Sequence, residues 1–105
     1  MLFRQVECFL AVARLGNVSR AAEEMFLTQP TLTARLKGLE DEIGDQLFVR
    51  TSGGMRLTDA GREFVPYAER IVSGFDEGRR HLEELRGASG GRLVLGASPG
   101  VGTYA

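Results

Sequence analysis

Residues 17–44, NVSRAAEEMFLTQPTLTARLKGLEDEIG, read as a short helix, a tight turn and a second helix. Thr28 is a suitable N-cap for the second helix, and Pro30 is tolerated only in the first turn of a helix. One face of this helix is apolar, because large aliphatic residues recur at helical spacing. They are Leu32, Leu36, Leu39 and Ile43. Most side chains on the other faces are hydrogen-bonding or cationic, and residues 28–39 include no acid.

The first helix of the pair is expected to begin near Ser19, a plausible N-cap. Small residues at Ala21 and Ala22 allow two helices to approach closely, and Phe26 and Leu27 close the turn. A short helix followed by one with polar groups at its exposed N-terminal end is typical of the helix-turn-helix motif, whose second helix enters the major groove of DNA. An ordinary helical hairpin with a solvated polar face fits the same pattern, so the pattern alone leaves both interpretations open.

The charge of the chain is unevenly distributed. Its net charge is −1, whereas domains that bind nucleic acid without discrimination are usually basic. Two windows free of acids nevertheless carry positive charge: residues 28–39 include Arg35 and Lys37, and residues 46–58 include Arg50 and Arg56. A protein that presents only part of its surface to DNA needs no net positive charge.

Composition excludes several other classes of protein. A single cysteine, Cys8, and a single histidine, His81, can form neither an intrachain disulfide nor a structural zinc site. The sequence has no recognisable nucleophile–base pair, metal cluster or phosphate loop, which predicts that it is not an enzyme. The apolar run at residues 9–13 is too short to span a bilayer and no targeting segment is visible, so we expect a cytoplasmic protein with no membrane partner.

A β-hairpin is predicted after the helical pair. Residues 46–50 and 56–58 read as two short strands joined by a turn with its tip at Gly53 and Gly54. Before the helical pair, an apolar first helix is expected from near Leu2 to Gly16. A helix-turn-helix followed by a hairpin is a winged module. Either Arg50 or Arg56 in the wing could reach a phosphate or the minor groove.

A long helix is predicted from Thr58 to about Arg86. Its apolar or small residues are separated alternately by four and three positions, which is the spacing of a heptad seam. The seam consists of Phe64, Ala68, Ile71, Phe75, Gly78, Leu82 and Leu85. One edge could pack on the winged module, but a helix this long outruns so small a domain, so we expect the rest to bury its apolar stripe against another chain.

Three stretches of the chain resemble a known family. The stretches FLAVARLGNVSRAAEEMFLTQPTLTARLKGLEDEIGDQLFVRT and LTDAGREFVPYAERI, followed by GRLVLGAS, resemble the N-terminal part of LysR-type transcriptional regulators. The resemblance covers essentially the whole chain. It implies a mainly α fold: a winged helix-turn-helix over residues 1–58, a linker or dimerisation helix over 59–86, a flexible hinge over 87–91, and at 92–105 the truncated start of an effector-binding domain of a longer protein.

The resemblance also implies partners and site residues. It places base-reading positions at the start of the second helix and backbone or minor-groove contacts in the wing. With the cations noted above, the predicted DNA-binding residues are Gln29, Pro30, Thr31, Thr33, Arg35, Lys37, Arg50 and Arg56. Ser98 and Thr103 lie where relatives often begin their inducer pocket. The implied partners are double-stranded promoter DNA, a second copy in a homodimer or homotetramer, and RNA polymerase as a further candidate. No cofactor is expected, but a small-molecule inducer is expected in the domain that would follow.

Two hypotheses from different classes follow. The first is a bacterial transcriptional regulator that binds specific DNA sequences through residues 28–43 and 46–58. The alternative is a protein-interaction module that dimerises through the same heptad seam without binding DNA. Measuring affinity at different salt concentrations distinguishes the two hypotheses. DNA binding weakens steeply as salt is added, because neutralising the phosphates releases counterions.

Overall fold

The computed structural model describes residues 1–89 of the chain, with side chains through residue 87. In this part the order of elements is α1 (Phe3–Leu15), α2 (Val18–Glu24), α3 (Gln29–Ile43), β1 (Phe48–Thr51), β2 (Gly54–Leu57) and α4 (Asp59–Ser89). The fold is therefore mainly helical, with a two-stranded wing and a long final helix, as predicted. The chain divides into two compact units, one formed by Met1–Val72 and one that begins at Ser73.

Local sequence signals explain where the first three helices begin and end. The Asn17 side chain accepts a hydrogen bond from the Arg20 amide at 2.9 Å, so Asn17 is the N-cap of α2, and the prediction of Ser19 was wrong. Thr28 caps α3 by accepting from the Thr31 amide at 3.3 Å, as predicted. Helix α1 ends at Gly16, whose φ of 67° is left-handed.

The wing is an antiparallel hairpin in which Phe48 pairs with Leu57 and Thr51 with Gly54. Strand β1 begins two residues later than predicted, at Phe48. The Glu40 carboxylate on α3 explains this boundary, because it accepts hydrogen bonds from the amides of Leu47 at 2.8 Å and Phe48 at 3.3 Å. The Leu47 amide, just before the strand, therefore bonds to a helix rather than to a neighbouring strand.

One hydrophobic core joins the helices of the first unit to the wing. Phe9 lies at its centre, with ring centroids 5.4 Å from Phe48 of β1 and 5.3 Å from Phe64 of α4. The wing is also held by its backbone, since the Met55 amide donates to the Gly16 carbonyl at 3.1 Å. Gly54 permits this approach, because it has a φ of 130° and a Cβ there would overlap the Gly16 carbonyl oxygen.

Helix α4 contributes to the core with its first turns. Ala68 is completely buried within the first unit, and Phe64 and Ile71 pack partly buried against the core. Ala68 has no surface left for another chain, so its assignment to a dimer contact is corrected to the domain core. In the second unit, Leu82 and Leu85 are 57% and 46% exposed.

The C-terminal boundary of α4 also differs from expectation. The helix ends at Ser89 instead of Arg86, so the predicted hinge at 87–91 begins inside it. The predicted effector-domain segment at 92–105, with Ser98 and Thr103, lies outside the described residues.

Candidate nucleic-acid interface

The exposed face of α3 is a broad, open depression. Because positions three and four apart lie on the same side of a helix, this face gathers residues from successive turns. It is lined by Gln29, Pro30, Thr33, Ala34, Lys37, Gly38 and Asp41. Four of the predicted DNA-binding residues therefore share it. Ala34 was missed because it has no polar group, although its position four residues after Pro30 was a usable signal.

The wing adds a cation to this surface. Arg50 of β1 lines a cleft together with Thr33, Lys37 and Glu40 of α3. The Arg50 side chain is exposed, and no hydrogen bond or ion pair joins it to another residue of the described part. Its guanidinium is therefore available to an anion that approaches α3.

Lys37 has one ionic neighbour on its own helix. Its Nζ lies 3.4 Å from Asp41 Oδ1, and both side chains are about two-thirds exposed or more, at 72% and 67%. An exposed pair of this spacing contributes at most about 0.5 kcal/mol. Lys37 can therefore exchange Asp41 for a phosphate at little cost.

Arg56 lies on a different surface from Arg50. Arg56 pairs across the hairpin with Val49, the residue before Arg50. Because neighbouring residues of a strand point to opposite faces of a sheet, Arg56 and Arg50 lie on opposite faces of the wing. Arg56 lines a groove with Ala13 and Arg62 rather than with α3. The structure thus brings only one of the two predicted wing arginines to the face of α3.

Arg35 is also separate from this face. Arg35 is two positions away from both Thr33 and Lys37. Two positions correspond to a rotation of about 200° around a helix, so Arg35 points away from their face. It is half-buried, and it lies close enough to α1 to act on Cys8. Burial raises the pKa of the Cys8 thiol, and the positive charge of Arg35 partly offsets this rise. The prediction that Arg35 reads bases together with Thr33 is therefore not supported by its position.

The N-terminal end of α3 contains two polar contacts. The Thr28 hydroxyl donates to the hydroxyl of Thr31 at 3.0 Å, and Thr31 itself is exposed. Gln29 Nε2 donates to Ser19 Oγ on α2 at 2.7 Å. Ser19 was predicted only as a cap, and this link could not be predicted because no local pattern connects the two residues.

Within the described residues, no group of three His, Cys, Asp or Glu side chains could hold a metal ion. None of the described helices is both long enough and apolar enough to cross a membrane.

Comparison with known proteins gives consistent matches. A family model described as "Bacterial regulatory helix-turn-helix protein, lysR family" matches residues 3–62. The chain is 40% identical over 99 residues to an uncharacterised HTH-type transcriptional regulator of Azotobacter vinelandii, covering 94% of this chain and 69% of the relative. It is 41% identical over 102 residues to the RuBisCO operon transcriptional regulator of Allochromatium vinosum, covering 97% of this chain but only 34% of that protein.

Solved structures show the same similarity. The fold matches the DNA-binding domain of BenM in complex with catB site 1 DNA, with a TM-score of 0.79, 31% identity, and coverage of 86% of this chain and 99% of that one. It also matches full-length CbnR complexed with its target DNA, with a TM-score of 0.73 and 38% identity over 83% of this chain and 31% of CbnR.

Proposed function

The chain belongs to the LysR family of DNA-binding transcriptional regulators, and from this premise we propose that it recognises specific sequences in double-stranded promoter DNA through α3 and β1. One observation carries the proposal: Thr33 and Lys37 lie on the exposed face of α3 and border the same cleft as Arg50 of the wing. A helix of this kind fits the major groove, and a neighbouring arginine can then reach the phosphate backbone.

Three residues of the face and Arg50 of the wing have a chemical role in this proposal. Gln29 offers an amide donor and acceptor, which match the N7 and N6 groups of adenine. The Ala34 methyl group suits contact with a thymine methyl. Lys37 and Arg50 neutralise phosphates and so contribute affinity for any sequence. Arg35 and Arg56 lie off this surface and are assigned no base contact.

Salt titration tests the wing assignment. A duplex selected by the protein from a randomised library is labelled, and its affinity is measured by fluorescence anisotropy over a range of salt concentrations. Because Arg50 neutralises one phosphate, Arg50→Ala should reduce the slope of log affinity against log salt by about 0.9 on selected and random DNA alike. Arg56→Ala is the matched control and should leave the slope unchanged. Equal slopes for wild type and Arg50→Ala, or a reduction confined to Arg56→Ala, would show that the wing contacts DNA differently.

Further parts of the proposal rest on family membership, and on the exposed Leu82 and Leu85 for assembly. We propose that the chain acts as a homodimer or homotetramer in the cytoplasm. RNA polymerase as a partner, and a small-molecule inducer bound outside residues 1–89, belong to the same proposal. The rival role as a dimerising module without DNA binding predicts no anisotropy change with any duplex.

A further inference from the structure

The side chain of Gln29 is tied to the other helix of the helix-turn-helix. Its Nε2 donates to Ser19 Oγ at 2.7 Å, across ten positions of sequence and the turn between α2 and α3. Both residues are exposed, and Gln29 lines the open face of α3. The hydrogen bond therefore lies at the edge of the surface proposed to meet DNA.

This bond limits what the Gln29 amide can offer to a base. A glutamine amide has two N–H donors and one carbonyl acceptor. When Ser19 accepts from one N–H, one donor and the acceptor remain. Adenine presents one acceptor and one donor in the major groove, whereas guanine presents two acceptors. The free N–H and the carbonyl oxygen match the acceptor and the donor of adenine. Opposite guanine, the carbonyl oxygen would face a second acceptor, and the two could form no hydrogen bond.

The bond also fixes the orientation of the amide. The terminal torsion of glutamine is broad and roughly two-fold, so a free amide can exchange the positions of its oxygen and nitrogen at little cost. The structure holds the orientation in which Ser19 Oγ accepts from Nε2, and the reverse orientation would require the Ser19 hydroxyl to donate to Oε1 instead. In the observed orientation the free donor and acceptor match adenine, and an amide already held there loses less conformational freedom on binding.

We infer that Ser19 is a positioning residue that orients the Gln29 carboxamide and thereby strengthens the preference for adenine over guanine. The inference rests on the proposed function, because it requires that Gln29 reads a base. It assigns to α2 a part in sequence specificity through a residue that need not touch DNA.

The experiment uses the whole chain and every single-base substitution of the duplex selected by the wild-type protein. Affinities are measured for wild type, Gln29→Ala, Ser19→Ala, Ser19→Thr and the double variant Ser19→Ala with Gln29→Ala. The base pair whose discrimination disappears in Gln29→Ala is the one that Gln29 reads, and we expect it to be A·T. Ser73→Ala removes an exposed helical serine elsewhere and serves as the matched control.

Loss of one hydrogen bond should lower the adenine-over-guanine ratio in Ser19→Ala by about two- to tenfold at that base pair only. Ser19→Thr keeps the hydroxyl and should restore most of the ratio. In the Gln29→Ala background, Ser19→Ala should change no further ratio. Circular dichroism melting should give the same midpoint for Ser19→Ala and Ser73→Ala, since both positions are exposed.

Two results would overturn the inference alone. Discrimination that is lost in Gln29→Ala but intact in Ser19→Ala would show that Gln29 needs no support. An equal loss of affinity for all duplexes, persisting in the double variant, would make Ser19 a phosphate contact. If Gln29→Ala abolishes discrimination between bases at no base pair of the duplex, the base-reading role of Gln29 in the proposed function fails, and the inference fails with it.

Discussion

Phe26 combines two unfavourable features in the turn of the helix-turn-helix. Its φ is 58°, which makes it the one non-glycine residue of the described part with a positive φ, and its side chain is 94% exposed. A bulky residue in the left-handed region costs about 1–2 kcal/mol. The ring recovers little of this cost by burial, because nearly all of it remains in water.

Phe26→Asn should therefore stabilise the protein by about 0.5–1 kcal/mol, because asparagine tolerates the left-handed region without the extra chain entropy of glycine. Urea denaturation followed by circular dichroism measures the change. Phe26→Ala is the control: it removes the ring but keeps a side chain that disfavours this backbone, so its midpoint should stay near that of wild type. A loss of stability in Phe26→Asn would mean that the ring contributes packing.

At the scale of elements, Glu40 joins α3 to the wing. Its carboxylate accepts from two backbone amides at the start of β1. Glu40→Ala leaves both amides without this acceptor and should lower the free energy of unfolding by about 1–3 kcal/mol. The control is Glu42→Ala, on the same helix, whose exposed ion pair with the N-terminus should matter by no more than about 0.5 kcal/mol. Similar losses in the two variants would show that Glu40 does not anchor the wing.

Two glycines of α4 should respond in opposite directions to the same substitution. A Cβ at Gly61 would overlap the Leu47 carbonyl oxygen, whereas nothing lies near a Cβ at Gly74. We expect Gly61→Ala to destabilise the protein by about 1–3 kcal/mol through overpacking. Gly74→Ala should stabilise α4 by about 0.5–1 kcal/mol, since alanine is the better helix former. The helical circular dichroism signal during urea titration measures both, and a tolerated Gly61→Ala would refute the close approach of α4 to the loop before β1.

At the scale of the whole molecule, assembly is expected to depend on the second half of α4. Ala68 and Ile71 are used within the first unit, which leaves Phe75, Leu82 and Leu85 as the large exposed members of the heptad seam. Leu82→Asp with Leu85→Asp would place unpaired carboxylates in an apolar contact. We expect the dissociation constant of the dimer to rise by about two orders of magnitude or more.

Analytical ultracentrifugation of the whole chain tests this prediction. Ser73→Asp with Arg80→Asp adds two carboxylates and removes one cation on the opposite side of the helix, a larger change in charge than that of the seam variant, and should leave assembly unchanged. A double seam variant that assembles like wild type would place the contact elsewhere. A wild-type chain that is monomeric at all concentrations would show that α4 alone does not support assembly.

Sequence by itself determined the features that depend on neighbouring residues. Thr28 marks the start of α3 because a cap needs only the next few amides, and Gly16 ends α1 because only local backbone freedom is required. The helical spacing of Leu32, Leu36 and Leu39 likewise predicted a buried face without knowledge of what covers it. The order of helices, hairpin and long helix followed from such signals.

Only the tertiary structure decided which side chains meet. Strand β1 starts at Phe48 because Glu40 of α3 accepts from the amide of Leu47, the residue before the strand, and no pattern within the strand records that contact. The register of the hairpin directs Arg50 toward α3 and Arg56 away from it. Ala68 fits the heptad spacing of a dimer contact but is buried in its own domain, and Gln29 bonds Ser19 across the turn. Each of these outcomes joins residues that are distant in sequence or on different elements, and spacing along one element cannot specify contacts between two.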